Sequence, residues 1–252
     1  MASKPVKPTV IAVFPAYNAA KTIKTTLLGI PKGLVDLVLV VDDASTDTTV
    51  LVAKKLGLTG IKHKNNKGYG ANQKTCYSEA LKRGADIVIM IHPDNQYDST
   101  LTGELIAPII NKRFDIMFGS RIRTRKEALS GGMPHIKYYL NRIVSLIENI
   151  SMGVNFTEHL SGYRAYSKKV LQTLPYKKFS DNFVFDQQFM MSAITYGFRI
   201  SEYPVPVRYS SKASSISWVA SARFLTETFW YLGKFLLNKW GVYTDKIFRY
   251  KK

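Results

Sequence analysis

The sequence is short of several things, and each shortage excludes something. Its 252 residues include one cysteine, Cys76. An internal disulfide is therefore excluded, and a reducing compartment fits. Cys76 sits in Gln73-Lys74-Thr75-Cys76-Tyr77, a stretch of helical pattern, and reads as structural. No run stays apolar and uncharged over the ~18 residues that a membrane-spanning helix needs. The opening stretch, Met1 to Val10, lacks the charged-then-apolar layout of a secretion signal. A cytoplasmic protein is expected, with any membrane contact peripheral. Acidic residues are scarce, 18 against 36 lysines and arginines, for a formal charge of +18. That imbalance favours an anionic partner: nucleic acid, a phosphorylated substrate or an acidic membrane surface. Gly68-Tyr69-Gly70 is not followed by the lysine-hydroxyl pair of a phosphate-cradling loop, and the first strand carries no dinucleotide fingerprint. ATPase and dehydrogenase readings fall away. Repeats and low-complexity segments are also missing, while 46% hydrophobic and 21% charged content is ordinary for a globular chain.

What is present is organised around Ile87 to Ile91. This continuous apolar run suits a strand buried on both faces, and it stops abruptly at His92-Pro93-Asp94. Thr9 to Phe14, Leu37 to Val41, Gly60 to His63 and Asp115 to Gly119 read as further strands. Between them lie helical stretches, broadly Ala19 to Leu28, a run toward Lys55 capped by Ser45 or Thr46, Asn72 to Leu81, and Thr100 to Ile110. Strands alternating with helices predict an α/β fold, a mainly parallel sheet with flanking helices. Arg121 to Lys126 reads as a basic, mobile connection. Pro134 starts an amphipathic helix reaching Met152, and another helix runs from Asn182 to Tyr196. Arg199 to Tyr209 reads as a strand that Pro204 and Pro206 place at a sheet edge.

Three strand ends carry polar groups: Pro15-Ala16-Tyr17-Asn18, Asp42-Asp43 and Asp94. If the strands are neighbours, these groups converge on one crevice, since ligands of open α/β sheets bind beyond the carboxyl ends of the strands. Tyr17 can stack on a base, and Asp42 or Asp43 can accept an imino N–H. Asp94, helped by Gln96, offers hard oxygen ligands that can hold Mg²⁺ or Mn²⁺ against a diphosphate. Gly68 and Gly70 can admit a ligand close to the backbone, or simply form a tight turn before a helix. A nucleic-acid partner is set aside, because no reader motif is present and acidic strand ends repel phosphate without metal.

Taken in order, Pro15-Ala16-Tyr17-Asn18, Asp42-Asp43-Ala44-Ser45-Thr46-Asp47, Asn66-Lys67-Gly68-Tyr69-Gly70, Asp94-Asn95-Gln96, Gly119-Ser120-Arg121 and Ser161-Gly162-Tyr163-Arg164 resemble the motifs of family 2 GT-A glycosyltransferases. The dolichyl- or polyprenyl-phosphate sugar synthases are the branch most resembled. The resemblance runs from about residue 9 to Lys212. It implies a Rossmann-like GT-A domain over residues 1–212, with 9–120 holding a UDP- or GDP-linked sugar and 121–212 holding the acceptor. It gives Pro15, Tyr17 and Asp43 to the nucleotide, beside Asp42 and Gly68, and Asp94 and Gln96 to the metal and diphosphate. It gives Arg121, Lys137, Arg208 and Asn141 to a lipid phosphate, with Arg164 and Lys212 nearby. Two positions depart from the pattern. His92 stands where the first carboxylate of the metal motif belongs, and can ligate metal or contact a phosphate; Ala19 replaces a glutamate. A lipid phosphate, with its second pKa near ~6, needs no general base. A glycan or glycolipid hydroxyl would, and Asp186 is then the candidate. Asp94, Arg121 and Asp186 are thus the residues expected to carry catalysis, unless the chain is an inactive scaffold.

Residues 213–252 are expected to form a basic, aromatic helical tail. Trp218, Phe224, Phe229, Trp230, Tyr231, Phe235, Leu236 and Trp240 alternate there with Arg223, Lys234 and Lys239. With the helix after Pro134 they suit an interfacial position on an anionic membrane. Anchoring or flipping would then fall to an integral-membrane partner.

Overall fold

The computed structural model describes residues 7–206 and 218–248. Seven strands form one sheet in the order β3-β2-β1-β4-β6-β5-β7. They are β1 (Val10–Ala16), β2 (Leu37–Asp42), β3 (Thr59–Lys62), β4 (Ile87–Met90), β5 (Ile116–Ser120), β6 (Arg164–Ser167) and β7 (Ile200–Pro204). The first four run parallel, and β6 is inserted antiparallel between β4 and β5. The expected α/β architecture with its mainly parallel sheet is therefore observed. β7 lies at the edge, where the missing N–H of Pro204 breaks no ladder.

Side chains alternate across each strand, so the sheet serves two apolar cores. Ile11 and Val13 of β1 join Val88 and Met90 of β4 in one. That core is closed by α3 (Tyr69–Lys82), α7 (Lys168–Thr173), α8 (Phe185–Thr195) and α9 (Trp218–Lys239). Val10, Ala12 and Phe14 join Ile87 and Ile89 in the other, under α1 (Ile23–Gly29) and α4 (Thr102–Ile110). β4 is buried along its whole length, as its unbroken apolar run predicts. Cys76 is buried in α3, and burial pushes its thiol far above the ordinary range, which leaves it inert.

Two local expectations are corrected. The helix α2 (Thr49–Lys55) is not capped by Ser45 or Thr46: Thr48 holds the cap position, and Asp47 accepts from the Thr49 N–H at 2.9 Å. Ser45 and Thr46 are drawn instead to Asn18. The Ser45 hydroxyl accepts from Asn18 N–H at 2.8 Å, and Asn18 Oδ1 accepts from Thr46 N–H at 2.9 Å. The basic stretch after β5 is not a loose connection either. Thr124 accepts from Glu127 N–H at 3.2 Å and starts α5 (Arg125–Ser130), a capping-box spacing of hydroxyl and glutamate.

The helix α6 (His135–Met152) is amphipathic with its faces reversed. Inward it buries Asn141, Ser145 and Glu148 beside Tyr138 and Val144. Outward it exposes Ile136, Tyr139, Leu140, Ile143, Leu146, Ile147 and Ile150, the last at 74%. These positions recur every three or four residues and so form one stripe. Among the described residues no helix is long and apolar enough to cross a membrane.

Gly70 shows how tightly α3 meets the chain before α8. A Cβ there would lie 2.3 Å from the Ser180 carbonyl oxygen and 2.8 Å from Phe185 Cβ. In an isolated helix Gly70→Ala would stabilise by about 1 kcal/mol. Here overpacking is expected to reverse the sign, for a net loss of about 1–2 kcal/mol. A lower urea midpoint at unchanged slope would show it.

Candidate active site

Strand order reverses between β1 and β4, and the crevice at that switch point receives the polar strand ends. On one side Pro15 and Ala16 pair with Val41 and Asp42 of β2. Tyr17 then projects with 53% of its surface exposed, open to stacking. Asp42 is buried; Oδ2 accepts from Ser45 N–H at 3.0 Å, and Oδ1 has no partner among the described residues. Asp43 accepts from Lys67 N–H at 2.9 Å and Gly68 N–H at 3.0 Å, and meets His63 Nδ1 at 2.7 Å. Gly68 thus does not offer its N–H to a ligand. Its φ of 97° and the Asp181 carbonyl oxygen, 2.6 Å from where a Cβ would sit, explain the glycine. Gly70 likewise packs on protein.

Beyond β4 the chain turns through His92, Pro93 and Asp94. Thr22 hydroxyl donates to the Pro93 carbonyl, and Asp94 Oδ1 accepts from Gln96 N–H at 3.0 Å. Among the described residues no group of three or more His, Cys, Asp or Glu gathers as a metal site. Asp94, Gln96 and His92 nevertheless supply a carboxylate, an amide oxygen and an imidazole. That set would suit a divalent ion bound together with a diphosphate. His92 stacks on Tyr69 with ring centroids 5.3 Å apart, and its Nε2 lies 3.1 Å from the Tyr69 oxygen. Burial holds the imidazole below its ordinary pKa, against the opposing pull of Asp94 and Asp186. The Tyr69 hydroxyl donates to Asp186 Oδ2 at 2.6 Å, and Gln73 donates to Oδ1 at 3.3 Å.

The residues expected on the acceptor side, Arg121, Lys137 and Asn141, gather around Glu158. Glu158 is fully buried and accepts from Arg121 N–H at 2.8 Å, Arg121 Nε at 2.9 Å and Asn141 Nδ2 at 2.8 Å. Arg121 also donates to the Leu160 carbonyl and lies over the Tyr97 ring. Lys137 keeps exposed surface, yet desolvation and then Arg121 lower its pKa, while Glu158 and Asp94 hold it up. Its ammonium therefore shares the field of Asp94. Arg164 departs from expectation. It is fully buried and donates to the carbonyls of Ser161 at 2.7 Å, His159 at 3.0 Å and Asp186 at 3.2 Å. Such a guanidinium supports the site from beneath and meets no acceptor phosphate. Arg208 and Lys212 lie outside the described residues.

Sequence reasoning gave no part to Glu158, Tyr69 or Tyr97. Glu158 carried a faint signal, an acidic residue in a basic half of the chain. Tyr69 lay inside a motif read only for its glycines.

Burial alone would raise the Glu158 pKa; the Arg121 charge and hydrogen bonds from Arg121 and Asn141 outweigh it and hold the pKa below the ordinary value. The group therefore contributes stability that is full above its unfolded pKa, about 4.3. That contribution is lost as pH falls through the lower folded value. Glu158→Gln leaves Arg121 buried without its counter-charge and is expected to cost about 3–5 kcal/mol. Melting curves between pH 7 and 3 should show a lower plateau and loss of this acid limb.

Several known proteins resemble this chain. A UDP-N-acetylglucosamine–dolichyl-phosphate N-acetylglucosaminyltransferase of Methanococcus voltae is 29% identical over 215 residues, covering 79% of this chain and 85% of the relative. A polyprenol monophosphomannose synthase of Mycolicibacterium smegmatis is 23% identical over 251 residues, covering 94% and 89%. The crystal structure of glucosyl-3-phosphoglycerate synthase from Mycobacterium tuberculosis, with Mn²⁺, UDP and glucosyl-3-phosphoglycerate, superposes with a TM-score of 0.68. At 19% identity, over 94% of this chain and 82% of that one, it shows the shared GT-A fold. The model of glycosyl transferase family 2 matches residues 11–174, and this chain belongs to that family as a nucleotide-sugar-dependent glycosyltransferase.

Proposed function

We propose that the protein moves one sugar, with inversion, from a UDP- or GDP-linked donor to a polyprenyl or dolichyl phosphate at the cytoplasmic face of a membrane. The observation that carries this reading is the double character of α6. The helix contributes Lys137 to the field shared with Arg121 and Asp94, while its outer face presents an apolar stripe to the surroundings. A phosphate at Lys137 and Arg121 would continue into an isoprenoid tail along a surface already suited to acyl chains. The names of the archaeal and mycobacterial relatives point to the same acceptor class.

In this reading the base of the donor stacks on Tyr17 and meets the strand-end carboxylates Asp42 and Asp43, next to Pro15. Asp94, Gln96 and His92 would hold Mg²⁺ or Mn²⁺, which when bound neutralises charge on the departing diphosphate. Arg121 and Lys137 place the acceptor phosphate, which is largely deprotonated at neutral pH and needs no base. Asp186 has both oxygens engaged, by Tyr69 and Gln73, and this favours the phosphate over a hydroxyl acceptor. In this reading the exposed stripe of α6 supports peripheral attachment, and any flipping falls to an integral-membrane partner.

The direct test is transfer from labelled UDP- and GDP-sugars to a short polyprenyl phosphate, with Mn²⁺ or with chelator. An acid-labile, organic-soluble labelled product that disappears with chelator is expected. Slow donor hydrolysis without lipid labelling would put the hydroxyl acceptor and Asp186 in its place. For the membrane surface, Ile143→Glu combined with Leu146→Glu should weaken sedimentation with anionic vesicles by about tenfold or more, from the apolar area removed. Nucleotide binding should be unchanged in that variant.

A further inference from the structure

His92 can serve the donor site in two ways, as a metal ligand through a lone pair or as a hydrogen-bond donor to phosphate, and proton bookkeeping around Tyr69 decides between them. Tyrosine has one hydroxyl proton. At 2.6 Å from Asp186 Oδ2, and with the carboxylate's other oxygen taking a hydrogen bond from Gln73, that proton lies toward Asp186. The Tyr69 oxygen can then only accept from its second neighbour, His92 Nε2, at 3.1 Å. Nε2 therefore carries the imidazole proton, and in a neutral ring Nδ1 is left with a bare lone pair.

The packing holds the ring in that sense. Tyr69 stacks on one face, 15° from parallel. Gly162 closes the edge that carries Nε2: a Cβ there would stand 2.6 Å from Nε2 and 2.7 Å from Cδ2. The ring edge opposite to this one carries Nδ1, and Nδ1 has no hydrogen bond among the described residues. Tyr69 is in turn braced by Phe183, with centroids 4.8 Å apart.

We infer that Asp186 and Tyr69 are positioning residues that fix His92 as the Nε2–H tautomer, so that Nδ1 ligates the divalent ion of the donor site and shifts its selectivity away from Mg²⁺ toward Mn²⁺ and Co²⁺. The inference rests on the glycosyltransferase reading of the strand ends. A carboxylate–tyrosine–histidine chain does here what a carboxylate does directly behind many metal-bound histidines, which is to choose the tautomer and orient the ring. Imidazole nitrogen favours the later divalent first-row metals, whereas Mg²⁺ prefers oxygen and gains least from it.

Two measurements test this. Long-range ¹H–¹⁵N correlation spectra of ¹⁵N-histidine-labelled protein, at neutral pH and without metal, should show His92 protonated at Nε2 and bare at Nδ1. Tyr69→Phe, which keeps the ring stacking, should erase that preference. A protonated Nδ1 in the unaltered protein overturns the proposal. The second measurement is pulsed EPR of the same labelled protein with Mn²⁺ and UDP, and in parallel with GDP. A ¹⁵N coupling to Mn²⁺ is expected, absent in His92→Asp although Mn²⁺ still binds. The ratio of Mn²⁺ to Mg²⁺ affinity should fall on the order of tenfold in that variant. Bound Mn²⁺ without nitrogen coupling removes His92 from the ligand set and leaves the donor site standing. If neither nucleotide retains Mn²⁺, the donor reading falls and this inference with it.

Discussion

Arg164 carries a permanent positive charge into the middle of the sheet, and the way that charge is satisfied shapes the site above it. Its N–H groups reach the carbonyls of His159, Ser161 and Asp186. Burial works against the charge, and Asp186 is foremost among the groups that offset it; a guanidinium stays protonated here. Glu148 adds no counter-charge, because burial pushes its carboxyl up to about 8 in spite of Arg164 and it stays neutral near pH 7. Three backbone carbonyls and the Asp186 charge therefore compensate the guanidinium together. The consequence is geometric. The His159 and Ser161 carbonyls belong to the loop that brings Glu158 to Arg121 and Gly162 to His92, and Asp186 belongs to the helix that reaches Tyr69. One buried side chain ties the Arg121–Glu158 cluster and the turn after β4 to the same strand.

Much of the site is paired before any ligand arrives. Asp43 has three donors, Glu158 holds Arg121 and Asn141, and Asp186 holds Tyr69 and Gln73. Dipoles fixed in this way need little reorganisation as charge develops on a departing diphosphate. Among the described residues the buried Oδ1 of Asp42 is left without a hydrogen-bond partner.

The parts legible in the sequence are those written in local pattern. Ile87 to Met90 and Val10 to Phe14 are apolar runs too short for a helix and bounded by turn residues, so strands and their polar ends follow directly. The convergence of Tyr17, Asp42 and Asp94 follows from strand adjacency. What local pattern does not hold is partnership across distance. Nothing near Arg164 distinguishes a guanidinium turned onto carbonyls from one turned toward solvent. Arg121 likewise shows no sign of Glu158, 37 residues away. The antiparallel entry of β6 is a decision of the whole sheet. The start of α5 was written locally, in Thr124 and Glu127, but beneath a run of basic charge that reads as a solvated link.

The reversed α6 helix has an effect beyond the site. A stripe of isoleucine, leucine and tyrosine facing water gains nothing for the folded state over the unfolded one, where the same side chains are also wet. Whatever covers the stripe binds the native chain and not the unfolded one, so covering it adds RT ln(1 + [L]/Kd) to the folding free energy. The resistance of this protein to unfolding would then depend on its surroundings as well as on its sequence, rising with the supply of whatever apolar surface binds the stripe.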